Sequence, residues 1–134
     1  ACLYKGAKVG DGSIQIVDGD MQTIMAGLAC GEPNTISWDI LKNHVDTFVS
    51  APDWVAAKGM RMLSAPIKGD PQVVSGESGA APFGVLACIM TMDEYKELRE
   101  HLRLDENSKV LLFSTEGDTD PERYKNIVWE GKER

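Results

Sequence analysis

Two short polar runs hold the residue types that could do chemistry. "STEG", Ser114 to Gly117, sets two hydroxyls, a carboxylate and a glycine directly after the apolar run Val110 to Phe113. "SGESGA", Ser75 to Ala80, sets Glu77 and Ser78 between Gly76 and Gly79, just ahead of a second apolar stretch. In open α/β sheets, ligands bind beyond the carboxyl ends of the strands. A helix that starts after a glycine-rich turn presents backbone N–H groups to an anion. Both runs fit those places. Ser, Thr, Asp and Gly are equally the ordinary residues of turns and helix caps, with Ser78 as a cap and Glu77 solvated. Each run taken alone therefore supports a structural role as well as a ligand-binding one. "SGESGA" is not a phosphate-binding P-loop, because it lacks the GK[ST] ending.

Other candidates for chemistry are few. His44 and His101 lie in helical patterns and are expected at the surface. No Ser-His-Asp order and no metal-ligand spacing stands out. Cys2, Cys30 and Cys88 have no CxxC spacing and no histidine companions, which argues against structural zinc. Cys88 reads as a small core residue, while Cys2 and Cys30 could pair. The odd cysteine count makes the cytoplasm the default compartment. Met60, Met62, Met90 and Met92 read as core filler.

The elements along the chain must position the two runs. The first dozen residues, rich in Gly and Lys, read as loop. Ser13 to Val17 alternates like a short strand. Thr23 to Pro33 is a small-residue loop. Helices are expected from about Asn34, with Trp38, Leu41, Val45 and Phe48 on one face, and from Pro52 to Leu63. Gly59, inside the second of these, marks close packing, since glycine there costs about 1 kcal/mol against alanine. Gln72 to Val74 reads as a very short strand. A helix apolar nearly all round follows from Ala80 to Met90, and Thr91 with Glu94 forms a capping box for a polar helix after it. Lys109 to Ser114 reads as a strand buried on both faces. A last helix runs from Asp120 to Val128, with Pro121 in its first turn.

Strands alternating with helices imply an α/β fold with a parallel sheet. Two or three short strands are too few for a closed sheet, and the chain opens on "ACLYKGAKVGDG" as if in mid-fold. The expectation is one piece of a larger three-layer domain. With 134 residues the chain is long enough for a sizeable core. Its formal net charge of −7 excludes nucleic acid and other polyanions as natural partners. No apolar run approaches the roughly 18 residues that span a membrane, and no leader is evident, so a soluble chain is expected.

Four segments together carry a resemblance: "GDMQTIMAGLACGEPNTISWDIL", "VVSGESGAAPFGVL", "STEGDTDPERY" and "IVWEGK". In this order they resemble the C-terminal part of the diaminopropionate ammonia-lyase family. That family belongs to the fold-type II pyridoxal-phosphate enzymes, with tryptophan synthase β and the serine and threonine dehydratases. The resemblance spans essentially residues 1–134 and implies the C-terminal portion of the large cofactor-binding domain. It implies elimination of ammonia from 2,3-diaminopropionate to give pyruvate, in amino-acid catabolism, by a cytoplasmic homodimer. It implies that Thr115, or failing it Ser114, faces the pyridine nitrogen, with Gly117 in the same turn. Glu77 and Ser78 would stand beside the cofactor ring, and Ala26 and Gly27 on the substrate side. The lysine that anchors the cofactor covalently and the acid/base residues match nothing here. Lys5, Lys8, Lys42, Lys58, Lys68 and Lys109 read as surface. No catalytic residue is therefore expected in this chain, and the 134-residue piece alone is expected to be inactive. The competing expectations are a non-catalytic interaction domain on the same scaffold and another fold-type II activity, such as a serine or threonine dehydratase.

Overall fold

Helices carry all the regular structure. The computed structural model describes residues 1–134. The chain divides into two compact units, Ala1–Ser50 and Ala51–Arg134.

The first unit holds α1 (Cys2–Val9), a 3-10 turn (Ala26–Leu28) and α2 (Thr35–His44). Helix α1 stands where loop is expected. Gly6 is the reason for the difference: a Cβ there would lie 2.8 Å from the Trp38 ring, so this glycine serves packing rather than a turn. Cys2 and Gly6, four apart on one helix face, are both buried. Trp38 is itself buried and donates from Nε1 to the Gly12 carbonyl at 3.0 Å. Asn34 caps α2, its side-chain oxygen accepting from the Ser37 N–H at 2.9 Å. The helix ends at His44, sooner than its apolar pattern implies, so Val45 and Phe48 lie beyond it. Phe48 still packs a tilted ring against Trp38, centroids 6.0 Å apart. Cys2 and Cys30 are both free, so the possible disulfide is not made.

The second unit holds α3 (Asp53–Ser64), α4 (Glu77–Thr91), α5 (Lys96–His101) and α6 (Pro121–Val128). Helices α3 and α4 form its core. They approach through small residues: Ala56, Ala57 and Ala80 are fully buried. A Cβ on Gly59 would lie 2.9 Å from the Gly84 nitrogen, and one on Gly84 would strike the Val55 backbone. The close packing expected at Gly59 is therefore present. Helix α4 is not buried all round, since Pro82 is exposed. Met60 of α3 and Ile127 of α6 fill the space beside the pair.

Neighbouring helices close one another's ends. Arg99 of α5 donates to the Ile89 and Met90 carbonyls of α4 at 3.1 and 2.9 Å. Arg61 of α3 donates to the Ile127 carbonyl of α6 at 3.3 Å. Cations at helix C-termini satisfy orphan carbonyls and complement the dipole. Asp120 caps α6 as its sequence implies, accepting from the Arg123 N–H at 3.0 Å. The capping box at Thr91 is not formed. Thr91 is the last residue of α4, its hydroxyl donating to the Ala87 carbonyl at 2.7 Å, and a 3-10 turn (Asp93–Tyr95) leads into α5.

No β-ladder exists, so the parallel sheet expected from the strand pattern is absent from this chain. Ser13–Val17 and Gln72–Val74 make only isolated backbone bonds, and Lys109–Ser114 makes none. Val17 N–H reaches the Gly31 carbonyl and Val73 N–H the Leu63 carbonyl. The physical reason is that a helix satisfies its own backbone, whereas a strand needs a neighbouring strand. Leu111 and Phe113, expected to be covered on both faces, are 78 % and 72 % exposed. No helix is long and apolar enough to cross a membrane.

Candidate functional site

The two polar runs, 39 residues apart in sequence, meet in the second unit. The Ser75 and Ser114 hydroxyl oxygens are 2.8 Å apart, and either can be the donor. Ser75 is buried, and that bond is the shorter of the two its hydroxyl makes, the other reaching the Gly76 carbonyl at 3.5 Å. One residue further along the first run and two along the second, the Gly76 N–H donates to the Glu116 carbonyl at 3.0 Å. The Glu116 carboxylate then turns onto the start of α4. Its Oε1 accepts from the Ser78 N–H at 2.6 Å and from the Gly79 N–H at 3.3 Å.

Glycine is required at two positions here, and both are set by this contact. A Cβ on Gly76 would lie 2.9 Å from Glu116 Cγ. A Cβ on Gly79 would lie 2.8 Å from the Ser75 hydroxyl. Gly117, expected to serve a tight turn, has no such need: a Cβ there meets nothing within 4 Å. The close backbone approach legible in "SGESGA" is thus an approach by the Glu116 segment.

The remaining expected site residues fall as follows. Thr115 lies between the two bonded residues, exposed, with its hydroxyl in no hydrogen bond. Ser78 is buried at the second position of α4 and is not the cap; the cap position belongs to Gly76, which has no side chain to offer. Glu77 is the first residue of α4, only 12 % exposed, with Arg123 of α6 3.9 Å away, so it is not simply solvated. Ala26 and Gly27 are exposed in the 3-10 turn of the first unit. His44 and His101 are exposed, and no lysine is buried. Cys88 is buried, as a small core residue should be. In the same unit, burial first and the Asp118 charge second push the Tyr124 hydroxyl above its ordinary pKa.

This arrangement has a definite chemical character. Glu116 is committed to a helix start, and Glu77 lies beside Arg123. The group left facing outward is a neutral hydroxyl on Thr115. Such a group can exchange a hydrogen bond with a heteroatom without moving a net charge. No nucleophile stands beside a base in the cluster. Sequence reasoning missed Ser75 and Glu116. The hint for Glu116 was present: a helix start that favours an anion, with glycine and no side chain at its cap position.

No protein-family model matches the chain. It is 52% identical to the diaminopropionate ammonia-lyase of Salmonella typhimurium over 132 residues, which is 98% of this chain and 33% of that enzyme. Among solved structures, it resembles the Escherichia coli diaminopropionate ammonia-lyase in complex with an aminoacrylate-PLP azomethine reaction intermediate. The TM-score is 0.88 at 48% identity, covering 98% of this chain and 32% of that one. The same enzyme in complex with D-serine gives a TM-score of 0.87 at 45% identity, with the same coverage. The chain thus spans about a third of the length of the curated relatives it matches. Over nearly its whole length it is homologous to that third.

Proposed function

We propose that the chain is the C-terminal part of the large pyridoxal-phosphate-binding domain of a fold-type II ammonia-lyase. The reaction is elimination of ammonia from 2,3-diaminopropionate to give pyruvate. The observation that carries this is the meeting of Ser75 and Ser114 at 2.8 Å, which joins two weak motifs into one hydroxyl-lined wall. The homology supports a lyase over a non-catalytic interaction domain or a dehydratase. A cytoplasmic homodimer acting in amino-acid catabolism goes with the same proposal.

The residues present fit one wall of such a cofactor site. Gly76 and Gly79 let the two runs pack closely, and Thr115 offers a neutral hydroxyl. When bound, pyridoxal phosphate supplies an electron sink for charge that develops at the substrate α-carbon. The role of Thr115 is to meet the pyridine nitrogen. A carboxylate in that place would hold a proton on the nitrogen, whereas a neutral hydroxyl does not. Charge then leaves more readily through the β-substituent, which suits elimination. Ser114 is the alternative for this contact, although its hydroxyl already serves Ser75. Glu77 and Ser78 stand beside the ring, with Gly117 in the adjoining turn.

The lysine that anchors the cofactor and the residues that move protons to substrate lie in the two thirds not represented here. The 134-residue piece alone is therefore inactive. The test is pyruvate release from 2,3-diaminopropionate by the full-length protein and by the isolated piece. Pyruvate from the cofactor-loaded full-length protein, and none from the piece, is the expected pair of results. Failure of the full-length protein to bind pyridoxal phosphate, or turnover by the piece alone, would overturn the assignment.

A further inference from the structure

We propose that Glu116 is the positioning residue of this site: its carboxylate, seated on the first turn of α4, holds Thr115 toward the ring. This rests on the function proposed above and adds a residue with no expected role in it. A helix start leaves its first N–H groups without intrahelical partners. Helix α4 has Gly76 at its cap position, so no local side chain can serve them. Glu116, 38 residues away, does so instead.

One residue thereby makes two kinds of contact with the same turn. The Glu116 carbonyl accepts from Gly76 N–H at 3.0 Å, and its Oε1 accepts from Ser78 and Gly79 N–H. Charge-assisted bonds of this kind are roughly twice as strong as neutral ones. The Ser75–Ser114 bond fixes the loop one residue to the other side of Thr115. Thr115 is thus pinned on both flanks while its own side chain stays exposed and unbonded. Two N–H groups of the α4 start, those of Ser78 and Gly79, are thereby taken up by Glu116. Gly76 and Gly79 are needed because any Cβ would push Glu116 or Ser75 out of place.

The test is a double-mutant cycle in the full-length holoenzyme, combining Glu116→Ala with Thr115→Val. Cofactor affinity is read by fluorescence and kcat by pyruvate release. Each single change is expected to weaken cofactor binding and to lower kcat by about tenfold, the loss of one strong hydrogen bond. The double variant should fall clearly short of the product of the two, because Thr115 no longer acts once its loop is released. Glu116→Gln keeps an oxygen acceptor and should recover most of the loss. Should Glu116→Ala not fold, the same cycle is run with Glu116→Leu, which removes the acceptor but keeps most of the side-chain volume, again with less than multiplicative losses expected. A strong Thr115→Val effect that multiplies with the Glu116 change would overturn the positioning role and leave the lyase assignment standing. A drop in melting temperature with cofactor affinity and kcat intact would do the same. No effect of Thr115→Val on either readout would remove the positioning role and the Thr115 contact with the ring, while the lyase assignment falls only if the full-length protein fails to bind the cofactor.

Discussion

The α3–α4 pair and the segment Lys109–Phe113 are both apolar, yet they end in opposite states. The helices bury Ala56, Ala57 and Ala80 completely against one another. The segment leaves Leu111 and Phe113 largely in solvent. The difference lies in where backbone partners come from. A helix brings its hydrogen bonds with it and needs only a close-fitting neighbour, which Gly59 and Gly84 allow. A strand needs another strand alongside, and this chain supplies none. The C-terminal placement proposed above predicts that the segment meets such a partner in the full-length protein.

That contrast can be broken most forcefully at the helix contact. Gly84→Val should destabilise the second unit by about 3 kcal/mol, since the side chain meets the Val55 backbone. Urea denaturation of the full-length protein measures it, and an unchanged midpoint would mean the helices can separate freely. The next largest effect separates the piece from the whole. Phe113→Ser should leave the stability of the isolated piece within about 0.5 kcal/mol, because the ring is already exposed. In the full-length protein the same change should cost about 3 kcal/mol, as a core aromatic does. Equal losses in both would contradict a buried strand in the complete sheet.

Smaller effects probe the helix ends. Arg99→Ala should cost about 1 kcal/mol, because the Ile89 and Met90 carbonyls lose their donor. Hydrogen exchange should show the last turn of α4 opening more readily while its first turn, held by Glu116, keeps its protection. The smallest effect is at Tyr124. Burial and Asp118 hold its hydroxyl above the ordinary tyrosine pKa. The raised folded value means a contribution to stability that is present below the unfolded pKa and fades as pH rises through the folded one. A phenolate absorbance titration should place Tyr124 above free tyrosine, and Asp118→Asn should bring it part of the way down.

Legibility in the sequence followed the range of the forces involved. Helices α3 and α6 could be read because Asp53, Pro121 and Asp120 act within a turn of themselves. Gly59 announced close packing because a helix interior tolerates glycine only for a reason. Helix α1 was hidden because Gly6 looks like a loop residue until Trp38, 32 positions away, is seen against it. The sheet was misread because apolar runs signal a strand without saying whether its neighbours are on the same chain. The candidate site was half legible. Two runs of the right residue types could be seen, but Glu116 acts through a contact across 38 residues that no local pattern records.

The most direct measurement is the nitrogen resonance of ring-labelled pyridoxal phosphate bound to the full-length protein. With Thr115 in place, the pyridine nitrogen should resonate in its unprotonated range. Thr115→Asp should move it to the protonated range. A resonance that ignores that substitution would mean Thr115 does not face the cofactor.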